Sequence, residues 1–475
     1  MASRWTVDRR PWTLSNNSVT DNQSTNNLLT NNMTSRRKFL QSTLLASAGL
    51  AMPNLLTAEH LAAMNKKIGA NDQLNVGLIG CNGMGFSNLS SQLKIPQVNC
   101  VALADIDQNV LDRRAADVQK LRGNKPKLYK DYRKMLEDKD IDMVIVGTPD
   151  HWHCLNLVDS LAAGKHVYVE KPLANSIEEC NIMLKATERY GKIVQVGQWQ
   201  RSGSQYDAAI DFVKSGKLGQ IRLVKCWAYQ GWMKPVPVKP DSQPPAGVDY
   251  GMWLGPAPKR PFNENRFHFN FRWFWDYAGG LMTDWGVHEI DIALFAMGVS
   301  APKSVMASGG KFAYPDDASE TPDTLQTVYE FDGFNMLWEH ATGIDGGNYG
   351  YNEGIAFIGN NATLVVNRGG WEIISEKDGD KPRLEAMARV KPDGKSALDL
   401  HSINFVEAIT SNDPSKLTCG IETGSVAAIN AHMGNVAYKT GEKVYWEADK
   451  GKFTSSKANK LMAANYHNGW KLPKV

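Results

Sequence analysis

The chain has 475 residues with 53 basic and 50 acidic side chains, a formal net charge of +3, and 42% apolar and 22% charged residues. These values exclude a disordered, collagen-like or coiled-coil chain, and no run of about 18 apolar residues exists to span a membrane. The six Cys, at 81, 100, 154, 180, 226 and 419, form no C-x-x-C spacing, so neither a disulfide scaffold nor a metal site is expected.

The basic excess is local. Residues 1–72 carry eight basic and four acidic side chains, which leaves 45 basic and 46 acidic groups for the remainder. A body that close to neutral argues against a nucleic-acid partner. Residues 13–32 are rich in Asn, Ser and Thr and lack apolar periodicity, so they cannot offset their ordering entropy. Ser35-Arg36-Arg37-Lys38-Phe39-Leu40 follows, then an uncharged run over residues 42–52. A paired-Arg segment before a short apolar run reads as a twin-arginine export signal, which predicts a periplasmic or otherwise exported protein. At about 11 residues the run is too short for stable membrane insertion. Residues 1–72 are therefore read as leader, 73–197 as one domain and 198–475 as a second.

Leu74-Asn75-Val76-Gly77-Leu78-Ile79 has the length of a buried parallel strand. Gly80-Cys81-Asn82-Gly83-Met84-Gly85 comes next, and residues 86–93 can continue as a helix. Strand, Gly-rich turn and helix start let the backbone approach a pyrophosphate, with Gly80, Asn82, Gly83 and Gly85 as the candidates. Asn82 stands where G-x-G-x-x-G has its second Gly, a substitution that Asn's tolerance of left-handed backbone permits. A second strand over 100–104 ends in Asp105, 20 residues after Gly85. An acid there accepts ribose hydroxyls and repels a 2′-phosphate, which favours NAD over NADP.

The alternation continues with helices over 107–121, 155–163 and 177–190 and strands over 143–146, 166–169 and 193–196. This pattern predicts a doubly wound parallel sheet with its ligand at the C-terminal strand ends. Three clusters sit at such ends: Thr148-Pro149-Asp150-His151-Trp152-His153, Glu170-Lys171-Pro172 and Gly197-Gln198-Trp199-Gln200-Arg201. A Lys at the cofactor edge can donate to a substrate hydroxyl and favour a developing alkoxide.

From about residue 198 strand-like runs dominate: 221–229, 304–311, 324–331, 335–339, 354–358 and 363–366. Gly-containing turns such as Asp332-Gly333 predict antiparallel hairpins, hence an α+β domain around one large open sheet. Residues 230–245, with five Pro, read as an irregular arm that packs on a partner subunit or frames the site. One predicted helix, over 281–291, carries Asp284, His288 and Asp291 at i, i+4 and i+7. One helical face would hold all three, with the His made cationic between two carboxylates. Six of the 14 Trp fall between 227 and 285. Aromatic faces stack on sugar C–H faces, and Arg272, Trp273 and Trp275 just upstream of that helix are the first candidates. Further helices are predicted near 400–411 and 422–438, with a docked tail carrying Tyr466 and Trp470.

The sequence resembles the Gfo/Idh/MocA oxidoreductases, which include glucose-fructose oxidoreductase and inositol dehydrogenase, over residues 74 to about 470. Glu170-Lys171-Pro172 after Gly164-Lys165-His166-Val167 is the most specific match. Gly279-Gly280 with Asp284, Gly286, His288 and Asp291 matches a second signature. The stretch Thr148 to His153, the Gln-Arg-Ser-Gly at 200–203 and Trp253-Leu254-Gly255-Pro256 are most similar to the export-signal-bearing branch. The resemblance implies Lys171, Asp284 and His288 as the catalytic set. Thr148, Pro149, His153 and Glu170 would border the cofactor, and Arg201, Arg272, Trp273, Trp275 and His288 the substrate. It further implies NAD-dependent oxidation or reduction of a secondary hydroxyl on a sugar, glycoside or polyol, and a homo-oligomer formed through the open sheet face. Outside the cytoplasm no nicotinamide pool recycles released NADH, so a tightly retained cofactor is expected. Relatives in glycoside hydrolase family 109 use bound NAD for transient oxidation and elimination. They lack the Lys that stands here at 171, which favours net redox. A non-catalytic sugar-binding protein is the third reading.

Overall fold

The computed structural model describes residue 69 and residues 72–475; the paired-Arg segment lies outside them. In the first half, β1 (Leu74–Ile79), β2 (Val98–Ala104), β3 (Lys127–Tyr129), β4 (Met143–Val146), β5 (His166–Val169) and β6 (Val194–Val196) form one sheet in the order β3-β2-β1-β4-β5-β6. Every pair in it is parallel. All four residues of β4 are buried, as helices on both faces require. Those helices are α1 (Gly83–Gln92), α2 (Gln108–Arg122), α3 (Tyr132–Leu136), α4 (His153–Ala162) and α5 (Ile177–Tyr190). Their ends follow local chemistry. Ser176 caps α5 by accepting from the Glu179 amide at 3.2 Å, and Gly191 closes it in left-handed conformation at φ 61°. Chain order reverses between β1 and β4, which opens a crevice at their C-terminal ends.

The second half contains α6 (Ser204–Lys214), β7 (Leu223–Gln230), α7 (Tyr250–Leu254), α8 (Gly280–Asp284) and α9 (Gly286–Met297). Strands β8 (Ser304–Gly310), β9 (Thr324–Glu330), β10 (Asn335–Thr342), β11 (Glu353–Ile358), β12 (Ala362–Asn367) and β13 (Gly370–Ser375) follow. A small ribbon, β14 (Lys377–Asp378) and β15 (Lys381–Pro382), precedes β16 (Met387–Val390); α10 (Ala397–Ser411), α11 (Ile421–Thr440), β17 (Val444–Glu447) and β18 (Lys452–Phe453) come last. Ten strands form one sheet in the order β16-β13-β12-β11-β7-β10-β9-β8-β17-β18. Only β7 and β10 pair in parallel, because the long connection between them crosses over; the predicted hairpin at Asp332-Gly333 joins antiparallel β9 and β10. Val287, Ile290 and Leu294 of α9 pack on Val224, Trp338 and Phe357 of this sheet, which anchors the site-bearing helix.

Three segments of the second half return to the first. Phe405 and Ile409 of α10 enter the core with Leu74, Val76 and Tyr168. The tail docks through Trp470, edge-on to Trp152 with centroids 4.9 Å apart, and through Tyr466, whose hydroxyl donates to Glu179 at 2.7 Å. The irregular arm after β7 extends beyond the expected 230–245, over residues 231–279, and crosses over the nucleotide half. The Gln108 amide donates to the Gly247 carbonyl (3.1 Å), the Asp249 amide to the Ile106 carbonyl (2.9 Å), and Trp152 Nε1 to the Trp253 carbonyl (3.0 Å).

Candidate functional site

The crevice opens into a cavity of about 590 Å³ whose wall runs from Gly80 and Asp105 to Lys171 and Asp284. At its first end the contacts come from backbone. Gly80 has φ 81°, and a Cβ there would meet the Gly147 backbone at 2.7 Å. A Cβ on Gly85 would stand 2.1 Å from the Gly80 carbonyl oxygen, so Gly85 is required by close packing and is not itself part of the wall. Gly83, at φ 48°, has nothing within 4 Å of its would-be Cβ. Asn82 precedes α1, whose first turn has no acidic residue and no side-chain cap, so its amides are left for an anion. Asp105 receives the Cys81 amide at 2.7 Å and the Asp107 amide at 3.0 Å, one on each oxygen. Burial raises its carboxyl despite those bonds, and a second lone pair on each oxygen stays free for ribose hydroxyls.

At the other end the wall is made of charged side chains. Lys171 Nζ donates to the Asp284 carbonyl and to its Oδ1, both at 2.9 Å, and Arg272 Nε donates to the same Oδ1 at 3.2 Å. Burial works to raise the Asp284 carboxyl, but Lys171 and Arg272 outweigh it and hold it at about 2. Glu170 accepts Asn88 Nδ2 at 2.6 Å and the Lys171 amide at 3.2 Å, and burial raises its carboxyl. Thr148 and Pro149 line the same wall. A fixed cation beside an ionised carboxylate can orient a hydroxyl and stabilise charge that develops on its oxygen.

The remaining sequence candidates lie elsewhere. His288 is buried and outside the cavity wall, between the rings of Trp199 and Trp285 with centroids 6.0 and 6.3 Å away, and its Nδ1 has no partner. It is not flanked by carboxylates. The helix expected over 281–291 breaks at Trp285 into α8 and α9, Asp284 turns to Lys171, and Asp291 binds Arg201. Burial, with Lys171 and Arg368, therefore pushes His288 down toward the neutral form, the reverse of the cationic form expected. Arg201 spends its guanidinium on Asp291 at 2.7 and 2.8 Å and does not reach the cavity. Trp273 is buried in an aromatic cluster with Trp253 and Tyr277. Trp275 donates through Nε1 to the Glu320 carbonyl at 3.0 Å and lies under Lys439. The His153 ring nitrogens sit 2.8 and 2.9 Å from the Pro172 and Thr148 carbonyls, so His153 ties two wall loops together from behind. Asp150, His268 and Phe269 line the cavity without having been singled out as site residues. Asp150 lies in one of the three strand-end clusters; His268 and Phe269 lie in the aromatic-rich stretch 227–285, where nothing local separates them from their neighbours.

Among the described residues no helix is long and apolar enough to cross a membrane, and no three His, Cys, Asp or Glu side chains could share a metal ion. All six Cys are buried and unpaired. The Gly cradle, open α1 amides and Asp105 fit a dinucleotide: amides for its pyrophosphate, a carboxylate for its ribose.

Residues 74–198 match the NAD-binding Rossmann fold of the Gfo/Idh/MocA oxidoreductase family, and residues 226–472 match its C-terminal alpha/beta domain. A glycosyl hydrolase family 109 protein of Shewanella baltica is 30% identical over 201 residues, 39% of this chain and 44% of that protein. An alpha-N-acetylgalactosaminidase of Shewanella oneidensis is 29% identical over the same span. The chain thus spans less than half the length of the curated relatives it matches. Levoglucosan dehydrogenase in complex with NADH superposes with a TM-score of 0.60 at 19% identity, over 79% of this chain and 99% of that one. The aldose-aldose oxidoreductase of Caulobacter crescentus gives 0.58 at 19% identity, over 79% and 100%. The chain belongs to the Gfo/Idh/MocA oxidoreductase family, with the family's NAD-binding domain in its first half and its alpha/beta domain in the second.

Proposed function

We propose that the protein interconverts a secondary hydroxyl and a ketone on a sugar, glycoside or polyol while keeping its dinucleotide bound. One observation carries this: the Lys171–Asp284–Arg272 cluster and the Gly80–Asp105 cradle open into one cavity. NAD bound there supplies the acceptor and donor of hydride. Lys171 donates to the substrate oxygen and stabilises negative charge on it. Asp284, ionised at neutral pH, holds Lys171 and Arg272 in place and orients a neighbouring hydroxyl. His288, kept neutral by its surroundings, is buried outside the cavity wall and takes no direct part in this scheme. Retention is supported by the arm, which lays Trp253, His268 and Phe269 against the cavity from outside the nucleotide half. Export through Ser35-Arg36-Arg37-Lys38-Phe39-Leu40 belongs to the same proposal, since an exported dehydrogenase without a nicotinamide pool needs a captive cofactor and a second substrate to regenerate it. A second copy on the sheet face away from the helices, where Met306 and Ile374 are exposed, is the proposed partner.

The test is purification from the periplasm, denaturation and assay of the supernatant for NAD, followed by a panel of aldoses, alkyl glycosides and inositols read as reduction of the bound dinucleotide. Stoichiometric NAD and a reducible hit are expected. An empty protein that needs millimolar NAD would sink retention, and binding of a sugar with no change in the cofactor would support a sugar-binding protein. The names of the curated relatives favour a second reading, glycoside cleavage by transient oxidation and elimination, with Lys171 as the feature against it. Release of free sugar from aryl glycosides with no acceptor present would decide for it.

A further inference from the structure

Four carboxyl groups line the cavity wall: Asp105, Asp150, Glu170 and Asp284. Three are engaged. Asp105 holds two backbone amides, Glu170 holds Asn88 and the Lys171 amide, and Asp284 holds Lys171 and Arg272. Asp150 differs. It is buried at 6% exposure, yet among the described residues its carboxyl takes no hydrogen bond beyond its own backbone amide. It opens the single turn Asp150–Trp152 at the end of β4, on the side of the cavity where Lys171, Arg272 and Asp284 converge. An acid needed only to start a helix would be served as well from the surface. A buried carboxyl left without a hydrogen-bond partner is costly unless it carries a proton or meets a charge that comes with the ligand.

We propose that Asp150 is the proton-bearing counter-group of the cofactor: a carboxylate while the nicotinamide is oxidised and cationic, a neutral carboxylic acid once it is reduced. The proposal rests on the redox reading above. In substrate oxidation the C–H bond breaks with its electron pair passing to the nicotinamide ring, the O–H bond breaks, and the C=O bond forms. The proton so freed is the one Asp150 gains. The cavity keeps its charge through the turnover, and nothing is released to solvent. The groups facing Asp150 set the balance. Arg272 comes from the arm, Asp284 from α8 and Lys171 from the loop after β5, with Glu170 and His268 on the same wall. Burial, opposed by Arg272, reinforced by Asp284 and opposed by Lys171, pushes the Asp150 carboxyl up to about 8, so it is poised to lose its proton when one more cation arrives.

The test needs no substrate. The full chain, freed of bound dinucleotide on charcoal, is titrated calorimetrically with NAD⁺ and separately with NADH at about pH 7.5, in two buffers of different ionisation enthalpy. The difference between buffers counts protons. Release of about half a proton or more per NAD⁺, and none per NADH, is expected. In Asp150→Asn both dinucleotides still bind with equal proton counts; Asp150→Ala gives the same result should the Asn variant fail to fold. Equal counts in the unaltered chain, or a difference that survives both substitutions, overturns the proposal. Absence of any binding heat overturns the dinucleotide reading itself and the proposal with it.

Discussion

The two ends of the cavity are built by different means. At the nucleotide end the chain offers backbone: Gly80, Gly83, the α1 amides, and the close approach of Gly85 and Gly147 that brings them together. A Cβ on Gly147 would stand 2.4 Å from the Gly85 Cα, so two segments 62 residues apart touch main chain to main chain. At the reacting end the chain offers charge. Lys171, Arg272, Asp284 and Asp150 arrive from four separate segments and balance one another. The first end, at Gly80, Gly85 and Gly147, has no room for an added atom. The second depends on a balance of charge.

The largest effect should come from adding one carbon to the first end. Gly85→Ala drives a methyl into the Gly80 carbonyl and should lower unfolding free energy by at least about 2 kcal/mol, with dinucleotide binding lost. Gly83→Ala meets open space and only a positive φ, so it should cost about 1 kcal/mol. Urea unfolding of the two variants measures the difference. Equal costs would mean that close packing does not distinguish the turn's glycines.

This contrast also explains what could be read without coordinates. The nucleotide end is local: strand, glycines and Asp105 fall within 32 residues, and Gly83 and Asp105 reach the cavity wall while Gly85 packs behind it. The parallel sheet was equally legible, because β4 and β5 are short apolar runs between strongly periodic helices. The reacting end was legible only as a set of residue types. Periodicity could place Asp284, His288 and Asp291 on one face of a helix. It could not foresee the break at Trp285, nor that Arg201 and Lys171, each over 80 residues away, would claim the two acids. Nothing in the spacing of Trp273 and Trp275 tells an inward ring from one facing a ligand. Asp150 and His268 matter through what they face, and only the folded arm and strand ends define that.

Removing charge at the second end should act on rate before stability. Lys171→Met is expected to lower turnover by about 10²- to 10⁴-fold. It should destabilise by less than the roughly 3–5 kcal/mol of an orphaned buried charge, because Arg272 still reaches Asp284 at 3.2 Å. The pH dependence gives an independent reading. The Asp284 carboxyl sits at about 2 in the fold against an ordinary 3.8, so the folded state binds the proton less readily than the unfolded one. Its contribution, roughly 2 kcal/mol, is complete above about pH 4 and lost as pH falls through the folded value. In Lys171→Met that acid limb should shrink to the part Arg272 supplies. Unfolding curves between pH 2 and 6 check it, and an unchanged limb would show that Lys171 does not hold Asp284.

The smallest effect lies where the arm meets the nucleotide half, and it separates enclosure from stability. His268 has a left-handed backbone at φ 55°, lines the cavity, and places Nε2 3.2 Å from Asp107 Oδ2. Asp107 also caps α2 by accepting the Asn109 amide at 2.9 Å, so replacing it would confound two roles; replacing the His does not. A contact this exposed, at 39% on the His side, is worth little to folding, and His268→Ala should shift unfolding free energy by no more than about 0.5 kcal/mol. The arm's other ties, at Gly247, Asp249 and Trp253, keep it in place. Yet the contact holds Asp107, whose amide Asp105 accepts, beside the proposed ribose site, so its loss should speed dinucleotide release about two- to fivefold, measured by chasing bound NADH fluorescence with excess NAD⁺. A stability loss with no change in release would assign His268 to the fold alone; faster release at constant stability makes the arm a cover over a cradle that the backbone has already built.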